Sequence, residues 1–184
     1  MNITAWTTTL ALPVSPDRDH IRGSLDAPVS LVEYGDYECP YCRAAHPIVD
    51  EIQARMGDEL QFVFRHFPIT TVHAHAEEAA EAAEAAGAQG RFWEMHDVLF
   101  ENQEQLAPHY LRAYAGALGL DTQTIDRELA GHVHAYRVRE DFMSGVRSGV
   151  NGTPTFYVNG VRHDGSWELP DLMATLQRAA RVQA

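Results

Sequence analysis

The chain has 184 residues, 45% of them hydrophobic, and carries 26 acidic against 14 basic side chains for a formal net charge of -12. That is enough apolar material for one domain with a full core. The acidic excess repels a phosphate backbone or an anionic lipid surface, so neither nucleic acid nor membrane is an expected partner.

The first stretch, MNITAWTTTLALPVSPDRDH, has no basic residue before Arg18, and Thr7 to Thr9, Pro13 and Pro16 interrupt its apolar content. A secretory signal needs a charged start and an unbroken apolar run, so the expectation is a soluble cytoplasmic protein. No apolar segment approaches membrane-spanning length, and no repeat of fixed period is visible.

PVSLVEYG reads as a buried strand, on which Glu33 shares a face with Val29 and Leu31. PYCRAAHPIVDEIQARMG then reads as a helix with Pro40 at its first position and Gly57 at its end, and with Ile48, Ile52 and Met56 on one face. Between strand and helix lies C-P-Y-C, which holds the chain's only two cysteines, Cys39 and Cys42. A bridge between them closes so small a loop that it restrains the unfolded chain little, so stability is a poor reason for the pair. Placed at a helix N-terminus, Cys39 meets unpaired N–H groups and the positive end of the helix dipole, both of which favour a thiolate. Cys42, one turn on, lies about 5 to 6 Å away between Cβ atoms and can close onto it. The pattern points to Cys39 as the attacking thiol and Cys42 as the resolving one; half of a zinc site is the alternative.

ELQFVFRHFP predicts a second strand, and residues 71–149 then form a helical block. HAHAEEAAEAAEAAG is Ala-rich, and its stripe of Glu77, Glu81 and Glu84 is expected to be a solvated helix face. RFWEMHDVLFENQ places Phe92, Met95 and Leu99 at core spacing, and DTQTIDRELAG opens with an Asp cap. PTFYVNG and VRHDG form a hairpin turned at Asn159–Gly160, and LPDLMATLQRAARV is the last helix. Ten histidines raise the question of metal. The pairs His73/His75 and His132/His134 could join the cysteines in a Cys2His2 site, but the redox reading already accounts for the thiols, and no metal or other cofactor is expected. His46 and His66 are expected to have ordinary surface or capping roles.

VEYGDYECPYCRAAHPIV together with GVNGTPTFYVNG resembles the DsbA-like branch of the thioredoxin superfamily. The likeness is strongest to its cytoplasmic members and to the thioredoxin-like tails of some bacterial NhaA-type antiporters, and it covers the chain from about Asp19 to its end. The resemblance implies an α/β thioredoxin fold with an inserted helical subdomain. In one domain over 1–184 this gives an N-terminal half at 1–70, the insertion at 71–149 and a C-terminal half at 150–184. It implies a cis bond before Pro154, with Thr153 and Pro154, and also Pro40 and Tyr41, meeting the substrate. It implies that Glu33 is a buried acid taking the proton from Cys42, where a strand-end Glu reaching solvent is the other reading. Pro47 matches a helix-kinking proline.

The activity so implied is thiol-disulfide exchange with a disulfide-containing protein or small thiol, linked to a redox partner such as glutathione or another oxidoreductase. Tyr41 brings no positive charge to the dipeptide between the cysteines, which favours a less oxidising couple than DsbA. Two rivals remain open: a redox-sensing or metal-binding module, and a glutathione-dependent enzyme of the kappa transferase or isomerase type, in which a serine stands where this chain has Cys39.

Overall fold

In the computed structural model, residues 9–183 are described; the stretch read above for a leader lies partly outside them. The chain runs β1 (Ile21–Gly23), β2 (Val29–Gly35), α1 (Pro40–Met56), β3 (Leu60–His66), α2 (Ala76–Ala88), α3 (Phe92–Glu101), α4 (Pro108–Ala117), α5 (Thr122–Ala130), α6 (Ala135–Ser148), β4 (Thr155–Val158), β5 (Val161–Arg162) and α7 (Leu169–Gln183). The strands form one mixed sheet in the order β1-β3-β2-β4-β5. β2 and β3 are parallel, joined by α1 as a β-α-β crossover, and every other pair is antiparallel. This is a thioredoxin fold with five helices inserted between β3 and β4.

β2 lies in the middle of the sheet and is covered on both faces. Val29 and Leu31 pack into the larger core, with Val49 and Ile52 of α1 and Leu172 and Leu176 of α7. Val32 and Tyr34 pack into a second core with Val63, Phe67, Val150 and Tyr157. Burial on both sides explains why the strand reads as a nearly continuous apolar run. At the hairpin, Asn159 and Gly160 have φ of 47° and 78°. Two left-handed residues in succession give the turn whose twist matches its strands. β1 was not expected: three residues, IRG, carry no pattern, and the strand exists because it pairs antiparallel with β3.

The acidic stripe needs correcting. Glu77 is exposed, but Glu81 and Glu84 are buried. α2 packs against α3, α4, α5 and α6, so no broad face of it is left to solvent. Its carboxylates are matched instead: Glu81 with His132 at 3.0 Å, and Glu84 with His66 at 2.8 Å and His20 at 3.0 Å. His66 is correspondingly a buried hydrogen-bond partner of Glu84, not a surface or capping residue.

Beneath the second core, Arg65 is fully buried and grips both carboxylate oxygens of Asp19 at 2.9 Å. The same guanidinium donates to the carbonyls of Leu12 and Pro13 and to the Tyr34 hydroxyl. Burial by itself would raise the Asp19 pKa, but the bond to Arg65 and its charge hold it below the ordinary carboxylate value. Removing one partner of such a pair leaves a buried charge uncompensated. Asp19→Ala should therefore lose about 3 kcal/mol or more in urea unfolding, and a loss under about 1 kcal/mol would mean that the three neutral acceptors suffice for Arg65.

Candidate active site

β2 ends at Gly35, and a short loop carries the chain into α1 with Cys39 as its N-cap residue. Asp36 organises the loop. Its buried carboxylate accepts from the backbone N–H of Glu38 at 2.8 Å and of Ile69 at 2.7 Å, and bonds the His73 ring at 2.7 Å. Its carbonyl accepts from the Cys39 N–H at 3.1 Å. From the end of α3, Gln103 donates its amide to the carbonyls of Tyr37 and Cys39 at 2.8 and 2.9 Å. The helical insertion thus clamps the start of α1. Neither clamp was evident beforehand, since Gln103 sits in an unremarkable ENQEQ loop whose contacts are some sixty residues away.

The two cysteines are free thiols 3.8 Å apart. Their environments differ sharply. Cys39 is 5% exposed, and its pKa is lowered to about 5. The hydrogen bond from the Cys42 thiol is the largest cause; burial opposes it, and the Thr153 side chain and the N–H groups of Cys42 and Tyr41 add to the lowering. The Thr153 hydroxyl makes no geometrically complete hydrogen bond, yet lies near enough to favour the thiolate. In the thiol form Cys39 Sγ donates to the Thr153 carbonyl at 3.3 Å, a bond that ionisation removes. Cys42 has no exposed surface, and burial pushes its thiol well above the ordinary value, reinforced by its bond to Cys39 and by the charges of Glu33 and Cys39.

Glu33 is the third member. Its side chain is buried, with Oε1 lacking any hydrogen-bond partner, so the solvent-reaching alternative does not hold. Desolvation, followed by the charge on Cys39, raises its pKa to about 8. Gly35 makes room for it: a methyl group there would meet Phe64 Cε2 at 2.4 Å and Glu33 Oε1 at 3.1 Å.

The peptide bond between Thr153 and Pro154 is cis. Pro40 and the 64% exposed Tyr41 lie at the open rim of the thiol pair. Small open hollows of 180 Å³ and 120 Å³ are lined by Pro154 and Trp167 and by Arg43 and Gln103 respectively. Pro47 is inside α1. The described residues hold no Cys2His2 cluster: His73, His132 and His134 each bond a carboxylate, and His75 lies 3.7 Å from Glu78. His46 is mostly covered rather than on the surface, and packs on Phe100 and His96.

The thioredoxin family model matches residues 15–178. The chain belongs to the thioredoxin family. Curated relatives include the "Na(+)/H(+) antiporter NhaA 1" of Mycobacterium sp. strain KMS, 46% identical over 92% of this chain, and that of Salinispora arenicola, 50% identical over 92%. This thioredoxin-family chain spans only 28% and 26% of those two proteins. Among solved structures it is similar to oxidised BdbD from Bacillus subtilis, with a TM-score of 0.81 and 27% identity over 91% of this chain and 95% of that one. A thioredoxin-like oxidoreductase from Silicibacter pomeroyi gives 0.80 and 28% over 91% and 94%. α-DsbA1 from Wolbachia pipientis, 20% identical at a TM-score of 0.77 over 95% and 97%, shares the fold. These neighbours share the thioredoxin fold with this chain. No described helix is long and apolar enough to cross a membrane.

Glu33 also gives the thioredoxin fold a pH dependence. Its pKa is raised from 4.5 to about 8 on folding, so the folded state holds a proton that the unfolded state releases. The associated stability is complete below pH 4.5 and is lost as pH rises through 8. By pH 7 the reduced protein should have lost on the order of 3 kcal/mol through this group. Comparing unfolding free energies of the wild type and Glu33→Gln between pH 4.5 and 8 checks this, and parallel curves would show that Glu33 ionises normally.

Proposed function

We propose that this chain is a thiol-disulfide oxidoreductase that exchanges disulfides with protein or small-thiol substrates through Cys39 and Cys42. The observation that carries the reading is the opposed tuning of two adjacent thiols: Cys39 is ionised at neutral pH, while Cys42 keeps its proton. A structural pair has no need of that difference, and a zinc pair would want both sulfurs as thiolates.

The chemistry follows from that difference. Cys39 thiolate attacks one sulfur of a substrate disulfide, forming a mixed disulfide and expelling the other substrate sulfur as a thiolate. With its negative neighbour gone from Cys39, Cys42 becomes easier to ionise, and Glu33 in its carboxylate form accepts the proton. The new Cys42 thiolate attacks Cys39 Sγ, closing the Cys39–Cys42 bond and releasing the second substrate sulfur. Two electrons pass from the dithiol to the substrate. The same steps in reverse donate a disulfide.

The Thr153 backbone beside Cys39 offers a substrate strand its polar groups, in the way an edge strand would. Pro40 and Tyr41 give the incoming chain a smooth, uncharged landing surface. The open rim with shallow hollows suits an extended peptide better than a small enclosed ligand. A thiol redox partner, glutathione or another oxidoreductase, closes the cycle, and the cytoplasm is the compartment we favour.

A low nucleophile pKa stabilises the reduced form and raises the potential. With Cys39 near 5, the couple belongs between roughly -270 mV, typical of thioredoxin, and roughly -120 mV, typical of DsbA. Equilibrating the protein in defined glutathione buffers, alkylating and weighing it should give one two-electron transition in that window. Absence of a reversible dithiol couple would remove the proposal and favour a binding module.

A further inference from the structure

Outside the thiol site, two clusters bring three or more metal-capable side chains together among the described residues: His66, Glu84 and Asp141, and His46, His96 and Asp97. The first is already satisfied. Asp141 accepts from Arg18 and Arg137 on one oxygen and from the His66 N–H on the other, and Glu84 is bound by two imidazoles. Its carboxylates are thus engaged by arginines, imidazoles and a backbone N–H, and only His66 Nδ1 is without a partner.

The second differs in just this respect. His46 lies on α1 one turn after Cys42, and Asp50 lies one turn further on the same face. His96 and Asp97 come from α3, which packs alongside. One donor atom each of His46, His96 and Asp97 lies within 4.8 Å of the others. Arg22 approaches from β1 and occupies the far oxygens of both carboxylates, Asp97 Oδ2 at 2.7 Å and Asp50 Oδ1 at 3.5 Å. The near oxygens face His46 Nε2 instead: Asp50 Oδ2 at 3.7 Å and Asp97 Oδ1 at 3.8 Å.

Those separations are too long for hydrogen bonds. Asp97 Oδ1 is indeed buried without a hydrogen-bond partner. Two donors at about 2.0 to 2.1 Å from a tetrahedral metal lie roughly 3.4 Å apart, so contraction of a few tenths of an ångström would bring His46 and the two carboxylates to that spacing, with the His96 donor starting within 4.8 Å. His96 is buried and its Nδ1 bonds the Tyr37 hydroxyl at 3.0 Å, which leaves Nε2 as the ring nitrogen free to ligate. With Nδ1 as donor, that bond would fix the ring as the outer contact of a metal-bound histidine does.

We propose that His46, His96 and Asp97, with Asp50 at the rim, form a site for one divalent transition metal of the zinc class. The carboxylates are hard ligands, but the two imidazoles are borderline ones and suit zinc, cobalt or nickel better than calcium or magnesium. Arg22 is its competitor, since it balances the carboxylates when no metal is bound. The bound ion ties the cysteine-bearing helix α1 to α3, whose C-terminal end leads to the Gln103 clamp.

The test uses the full chain with Cys39 and Cys42 oxidised to the disulfide, so that thiolates cannot bind the probe. Zn2+ is titrated by calorimetry, and Co2+ by visible absorption. The expected result is one metal per chain, with cobalt bands free of thiolate character, and at least tenfold weaker binding in both His46→Gln and Asp97→Asn. No saturable binding, or a one-to-one complex that neither substitution weakens, overturns the site. Should either variant fail to fold, Arg22→Met decides: it removes the competing cation, so tighter binding supports the site and unchanged or weaker binding counts against it.

Discussion

A central strand that ends directly under the N-terminus of a helix creates two opposite electrostatic environments a few ångströms apart, and the chemistry of this molecule rests on holding both at once. At the helix end, N–H groups and neighbouring thiol and hydroxyl donors favour negative charge on Cys39. One turn deeper, Cys42 and Glu33 sit in the apolar core, where charge is penalised. Neither environment would be sharp without the fixed loop between them, and that loop is pinned by the Asp36 carboxylate and the Gln103 amide. Backbone hydrogen bonding thus passes into redox tuning through very few side chains.

The handling of buried carboxylates makes the same point by contrast. Asp19, Asp141 and Glu84 are all buried and all matched by arginines or histidines. Glu84 is held well below the ordinary carboxylate range despite its burial, because His20 and His66 both bond it. Glu33 alone among these four keeps a buried oxygen with no hydrogen-bond partner. Buried Glu81 also keeps one bare oxygen, but its other oxygen bonds His132, whereas Glu33 stands without such a partner beside two thiols, a proton acceptor where a proton must move.

Much of this was legible in the residues, for local reasons. C-P-Y-C after an apolar run, with Pro40 at the first helical position, locates a helix start without any tertiary information. Asn159–Gly160 likewise specifies its own turn. The period-2 grouping of Glu33 with Val29 and Leu31 places it on a core face. What escaped depends on contacts distant in sequence. The Glu81 and Glu84 stripe reads as solvated because its partners lie up to 64 positions away, and Gln103 has no feature that distinguishes it until the fold brings it to the Cys39 carbonyl. His46 reads as a surface residue until α3 packs beside α1. β1 is too short to have a pattern of its own.

The opposed ionisation of the two thiols is tested most directly by following thiolate absorbance of the reduced protein against pH, with Cys39→Ser and Cys42→Ser as assignments. One thiolate should form with a midpoint near 5 and be lost in Cys39→Ser, while the second thiol stays protonated past pH 9. The Cys39 midpoint should rise in Cys42→Ala, which removes the thiol donor. Two thiols ionising together between pH 8 and 9, the ordinary range for cysteine, would contradict the account.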